Sequence, residues 1–185
     1  MNNPRRSTLS AKNPPLVGIL MGSDSDLPVM KEAVEVLEEF GIGNEIHVMS
    51  AHRTPESVVE YVKKCETEDY KVFICSAGMA AHLAGVVAAH TALPVIGVPM
   101  SKIAAGIDAL FSTVQMPPGI PVATVAIDGA KNAGILAAQI IGSGDADVRA
   151  KVAAYKEKLG ASVQAKDKKL QEKGFRKYLE EQDLI

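Results

Sequence analysis

The sequence carries almost no net charge: 20 Lys and Arg stand against 22 Asp and Glu, a balance of -2. So even a balance offers no basic footprint for nucleic acid, and an anionic small molecule would need a local pocket rather than a global field. Long apolar runs are missing too. Nothing approaches the length needed to cross a bilayer, so no membrane partner is expected. The opening MNNPRRSTLSAKNPP has two arginines but no apolar segment with a cleavage site. It is read as a disordered leader over residues 1–15, not as a secretory signal. Cysteine is scarce: Cys65 and Cys75 form no metal-spaced or redox motif, and each sits in an apolar pattern. Two reduced, buried thiols are expected, in a reducing cytoplasm. The four histidines are dispersed, with no spacing such as HExxH, so no metal is expected.

Several familiar signatures are absent as well. No GxGxxG follows the first apolar run, which argues against a dinucleotide fold, and there is no GxSxG elbow or Walker loop. The third apolar run ends in Cys75-Ser76 rather than in an acidic phospho-acceptor, which argues against a receiver domain.

What is present is a regular alternation of short β-rich runs with longer segments of helical period. The strands are LVGIL (16–20), EIHVM (45–49), KVFIC (71–75), PVIGVP (94–99) and PVATVAI (121–127). The first, LVGIL, is a continuous apolar run, as expected of a strand covered on both faces. After the first, Met30, Ala33, Val34, Leu37 and Phe40 recur at helical spacing, with Lys31, Glu32, Glu35, Glu38 and Glu39 opposite. Thr54 as N-cap with Pro55 at the first helical position starts the second helix. Five βα units predict an α/β fold: a three-layer α/β/α sandwich on a doubly wound parallel sheet, flavodoxin-like, over residues 16–144. From 145 to 185 a mixed-charge helical tail follows, too polar for a second domain and expected to pack on its own domain or on a neighbouring subunit.

In open parallel sheets ligands bind beyond the carboxyl ends of the strands, near the switch in strand order. The loops there are GSDSD (22–26), SAHRTP (50–55), SAGMAAHLAG (76–85) and the segment 99–106. In GSDSD, Ser23 and Ser25 offer hydroxyls beside the amides of a helix N-terminus, an anion site, while Asp26 suits the hydroxyls of a ribose. Equally, Ser25 and Asp26 could simply cap the helix. In SAHRTP, Arg53 can grip a phosphate and His52 can exchange protons near neutral pH. His82 either touches a ligand or holds its loop. His47, on a strand, and His90, near a helix end, are read as structural.

Three of these motifs in register, MGSDSD, SAHRTP and AAHL, resemble those of the N5-carboxyaminoimidazole ribonucleotide mutases, the class I PurE family of de novo purine synthesis. The resemblance continues through LPVIGVP, STVQMPPGIPVATVAI and KNAGILAAQI, covering about residues 16 to 142. It implies a reaction that moves a carboxylate from the exocyclic N5 to ring carbon C4 of an aminoimidazole ribonucleotide, with no cofactor or metal, in a cytoplasmic homo-octamer. It implies His52 as the catalytic residue and Ser23, Asp26 and Arg53 as substrate-binding residues, with Ser50 and His82 counted beside them. Two positions depart from the usual third loop: Met79 stands for a glycine and Ala84 for a proline. Two alternatives remain, a carboxylase that uses free CO2, whose relatives carry lysine where Arg53 stands, and a non-catalytic ribonucleotide binder.

Overall fold

The computed structural model describes residues 14–182, so residues 1–13 of the expected leader lie outside it. Five parallel strands form the centre: β1 (Pro15–Met21), β2 (Gly43–Val48), β3 (Val72–Gly78), β4 (Val95–Met100) and β5 (Ala123–Thr124). Their order is β2-β1-β3-β4-β5. The chain therefore leaves β1 toward one edge, returns, and builds the rest of the sheet on the other side. The switch falls between β1 and β3, where such sheets open a crevice.

Alternate strand residues serve opposite layers. Val17 and Ile19 of β1, Val72 and Ile74 of β3, and Ile96 and Val98 of β4 pack with α1 (Leu27–Glu39) and α5 (Ala130–Gly142). Leu20, Phe73, Cys75 and Val95 face the other layer, which holds α2 (Pro55–Thr67) and α3 (Leu83–Ala88). Both cysteines are free thiols, and both are buried. Burial pushes the Cys65 thiol up to about 11, so it stays protonated at neutral pH.

Helix α1 buries Met30, Ala33, Val36 and Leu37 and turns its glutamates outward. It stops at Gly41, whose φ of 72° suits glycine, while the Ile42 amide donates to the Leu37 carbonyl at 2.9 Å. Small residues let α1 and α5 lie close: a Cβ on Gly134 would stand 2.9 Å from the Ala33 carbonyl oxygen and 3.2 Å from Ala33 Cα.

Two local expectations differ. The fifth strand is only Ala123–Thr124, although the Val125 amide still reaches the Gly97 carbonyl at 3.0 Å. Pro121 brings no amide to a ladder, which shortens the pairing at its start. Thr54 occupies the N-cap of α2, yet its hydroxyl donates to the Ser50 carbonyl at 3.2 Å instead of capping the helix.

The remaining helices are α4 (Ile107–Val114), α6 (Ala146–Lys173) and α7 (Phe175–Glu181). The Asp145 carboxylate caps α6, accepting from the amides of Asp147 at 2.9 Å and Val148 at 3.1 Å. The first turns of α6 rest on the domain. Val148 and Val152 are buried, Tyr155 meets the Phe40 ring edge-on at 5.5 Å, and Lys151 donates to the Phe40 carbonyl at 2.7 Å. Farther along, Leu159, Val163 and Phe175 are exposed. Among the described residues no helix is long and apolar enough to cross a membrane.

The contact at Gly134 gives a test in which packing opposes helix propensity. Alanine is the better helix former by about 1 kcal/mol, but its methyl would press on the α1 backbone. Gly134→Ala is expected to destabilise the protein by about 1–3 kcal/mol, seen as a lower thermal-unfolding midpoint. A raised midpoint would show that α1 and α5 separate easily.

Candidate functional site

The ends of β1 and β3 are tied at the switch point, where the Gly22 amide donates to the Ser76 carbonyl at 3.0 Å. Beyond them GSDSD folds into a 3-10 turn over Asp24–Asp26 that leads into α1. Ser23 caps that turn, its hydroxyl oxygen accepting from the Ser25 amide at 3.3 Å and the Ser25 hydroxyl at 2.9 Å. Asp26 makes no capping bond and is 1% exposed. The Ser76 hydroxyl donates to its Oδ2 at 3.3 Å, and the Lys102 ammonium lies 3.2 Å from its Oδ1. That second contact lies off the hydrogen-bonding direction, so Oδ1 has a cation beside it but no donor aimed at it. A carboxylate held out of water needs such a charge partner.

The SAHRTP loop is built around Ser50. Its hydroxyl oxygen accepts from the amides of His52 at 3.3 Å and Arg53 at 3.2 Å, while its own amide donates to Thr54 Oγ1 at 3.0 Å. So fixed, the loop extends two side chains toward neighbouring loops. Arg53 Nη2 donates to the Gly22 carbonyl at 2.9 Å. His52 Nε2 lies 2.9 Å from His82 Nδ1, with the rings nearly perpendicular at 79°. One nitrogen of the pair must carry a proton and the other a lone pair, the roles being set by the tautomers.

All six residues singled out from sequence therefore fall on one rim: Ser23 and Asp26 after β1, Ser50, His52 and Arg53 after β2, and His82 after β3. His82 opens α3 without capping it. His47 lies elsewhere, 3.3 Å from Glu45, which also accepts from Tyr70 at 2.6 Å and Tyr61 at 3.2 Å. Burial works to raise the Glu45 carboxyl, but the Tyr70 hydroxyl, His47 and Lys64 together hold it below its ordinary value. His90 is exposed beyond α3. Among the described residues no cluster of three or more His, Cys, Asp or Glu could hold a metal ion.

Two side chains in this constellation were not singled out from sequence, Ser76 and Lys102. Ser76 reads as the small polar residue that opens the loop 76–85, and Lys102 as one charge in the flagged segment 99–106. Nothing local marks either as a partner of Asp26. Met79 adopts φ 60° and is exposed, in a conformation glycine accepts without strain.

A family model described as AIR carboxylase matches residues 16–162. The chain belongs to that family. N5-carboxyaminoimidazole ribonucleotide mutases are among its curated relatives. That of Pyrococcus horikoshii is 56% identical over 90% of this chain and 95% of its own. That of Thermotoga maritima is 55% identical over 91% and 99%. The crystal structure of Treponema denticola PurE superposes with a TM-score of 0.75 at 36% identity, covering 85% of this chain and 99% of that one. The chain is a homologue of the class I PurE mutases.

In this AIR carboxylase family member Ser76 is the only hydrogen-bond donor given to the buried Asp26 carboxylate among the described residues. Ser76→Ala should lower stability by about 1–2 kcal/mol, measured as a fall in the urea midpoint with an unchanged slope. An unchanged midpoint would mean that Lys102 alone satisfies Asp26.

Proposed function

We propose that the protein is an N5-carboxyaminoimidazole ribonucleotide mutase, an isomerase of purine biosynthesis that converts its substrate to 4-carboxy-5-aminoimidazole ribonucleotide. One observation carries the residue-level reading. His52 stands on the same rim as Arg53 and Asp26, its ring hydrogen-bonded at 2.9 Å to a second histidine. A pure ribonucleotide binder has no need of a titrating pair there.

In this reading Arg53 and the Ser23 turn hold the 5′-phosphate. Asp26 accepts hydrogen bonds from the ribose diol, and Ser50, whose own proton is uncommitted, assists at the phosphate end. His52 gives its proton to N5, the N–C bond breaks, and CO2 leaves a neutral aminoimidazole with an electron-rich C4. The CO2 stays in a cavity walled by residues 76–85, where confinement raises its effective concentration, and C4 attacks it. The imidazole then takes the C4 proton, so the cycle closes with no net proton change. The step calls on no cofactor or metal. His82 orients the His52 ring. The enzyme would work in the cytoplasm, in keeping with its buried free thiols.

Ile107, Phe111 and Val114 stand at helical spacing on α4 and are all exposed, with Ile103 just before them. A stripe of this kind fits a contact between subunits of a homo-octamer. The outer part of α6 and α7 (within 145–185) would extend across a neighbouring subunit. Light scattering should show an oligomer for the wild type and a smaller mass for Phe111→Asp; a wild-type monomer would remove this reading.

The activity is tested by offering both substrates without ATP or metal. Purified protein should isomerise N5-carboxyaminoimidazole ribonucleotide, and His52→Asn should lower kcat at least about 10²-fold while still binding ligand. Turnover of aminoimidazole ribonucleotide that rises with dissolved CO2, with little use of the N5-carboxylated substrate, would favour the carboxylase. Binding without turnover of either would leave a non-catalytic relative.

A further inference from the structure

The GSDSD turn is held by a cation at each end. At its start Arg53 donates to the Gly22 carbonyl at 2.9 Å. At its end Lys102 Nζ donates to the Ser25 carbonyl at 3.1 Å and the Ser25 hydroxyl at 3.2 Å, and lies 3.2 Å from Asp26 Oδ1. Beside Lys102 sits the buried carboxylate of Asp26. A ligand matching this order would carry an anion, then hydroxyl donors, then a second anion.

We propose that Lys102 is a substrate-binding residue that recognises the carboxylate carried by the aminoimidazole, and so distinguishes carboxylated from uncarboxylated ribonucleotides. The proposal rests on the mutase reading. Three features of Lys102 support it.

First, an ammonium has three donors. Two are committed to Ser25, and the third lies beside Asp26 Oδ1 without making a hydrogen bond, because that oxygen has no donor. That third N–H is the one a ligand carboxylate would take, in competition with the Asp26 ion pair. Asp26 Oδ1 is almost wholly buried and accepts no hydrogen bond, so the ammonium beside it is its one neighbouring charge among the described residues. Lys102 is a third exposed, so the ammonium is reachable.

Second, its stem lies against the loop proposed to wall the cavity. A Cβ on Gly78 would stand 2.5 Å from Lys102 Cγ and 3.2 Å from its Cβ, so only glycine lets the lysine lie there. The same loop runs on through Met79 to His82, the partner of His52. Lys102 is thereby fixed both to the GSDSD turn and to the loop that leads to His82, and on the proposed reading it would face the ring end of the ligand, with Arg53 at the phosphate end.

Third, its backbone is set by an unusual loop. Ala104 and Ala105 adopt φ of 47° and 53°, followed by Gly106 at 83°. Left-handed backbone is unfavourable for alanine, so the surrounding contacts hold this shape against its local preference. The preceding Ser101 is fastened to Asp128, whose carboxylate accepts from its amide at 3.0 Å and from its hydroxyl. A lysine fastened one residue away is a pre-positioned charge, not a wandering surface one.

The test compares two ligands on three proteins by titration calorimetry. Wild type, Lys102→Met and Lys102→Arg are each titrated with 4-carboxy-5-aminoimidazole ribonucleotide and with uncarboxylated aminoimidazole ribonucleotide. Lys102→Met should lower the preference for the carboxylated over the uncarboxylated ligand about tenfold, whatever common loss the unpairing of Asp26 adds to both. Lys102→Arg, which keeps the charge, should recover most of the discrimination. An equal loss for both ligands would overturn the proposal and leave Lys102 as a support for Asp26. Tighter binding of both would make it a plug, and no change would make it a bystander; either result overturns it. If Lys102→Met fails to fold, Lys102→Arg and Lys102→Gln decide by the same ratio. Wild type that binds neither ligand would instead remove the mutase reading and this proposal with it.

Discussion

A carboxylate buried at the mouth of a parallel sheet constrains much of what surrounds it. Asp26 is almost wholly removed from water, and an ionised group there is tolerated only where charge and hydrogen bonds replace the lost solvent. The fold supplies both from different strands: Ser76 from the end of β3 and Lys102 from the loop after β4. Three chain crossings are thereby joined at one point, between the strands where the sheet reverses its order of construction. The GSDSD turn cannot shift without unpairing Asp26, which makes it a fixed surface against which a ligand can be read.

The layers around the sheet explain why that point is well placed. Ala33, Ala130, Ala133, Ala137 and Ala138 are all fully or almost fully buried and bring α1 and α5 close to each other and to the strands. On the opposite layer, a Cβ on Gly18 would lie 2.8 Å from the Phe73 ring, so glycine there makes room for an aromatic residue from the next strand. Close-packed layers of this sort deform little, and loops that leave rigid strand ends inherit their positions.

The strands and helices were largely legible because each burial pattern is local. An apolar run between small polar residues gave β1 to β4, and the spacing of Met30, Ala33 and Leu37 gave α1. The fifth strand was overestimated, since PVATVAI has strand composition but only two of its residues complete a ladder. At the site, each loop could be read from its own residues, whereas the links between loops could not. Nothing in SAHRTP says that His52 will meet a histidine 30 residues later, nor does Lys102 reveal the carboxylate it approaches. Such pairs depend on strand order, which hydrophobic periodicity does not encode. Met79 is the converse case: the departure from glycine was visible at once, but its cost, a left-handed backbone in a residue with a side chain, became visible only in φ.

The His52–His82 contact bears on how a single imidazole could serve two proton transfers. His52 Nε2 faces His82 Nδ1, so Nε2 is engaged within the protein and Nδ1 is the nitrogen left for a ligand. If Nδ1 holds a proton, a neutral His52 has a lone pair on Nε2 and accepts from His82. When Nδ1 gives up its proton, Nε2 takes one from His82 Nδ1 and His82 takes one at its own Nε2, so both rings stay neutral and His52 Nε2 becomes the donor. A histidine partner can meet both states by changing its own tautomer, which a carbonyl or a carboxylate, as a pure acceptor, cannot. On the mutase mechanism a proton leaves His52 for N5 and one returns from C4 within one turnover, so a partner of either polarity keeps the ring oriented in both halves of the reaction. That asymmetry between the two nitrogens, rather than the mere presence of an imidazole, is what suits this pair to an isomerisation in which one proton is given at N5 and another is taken back at C4.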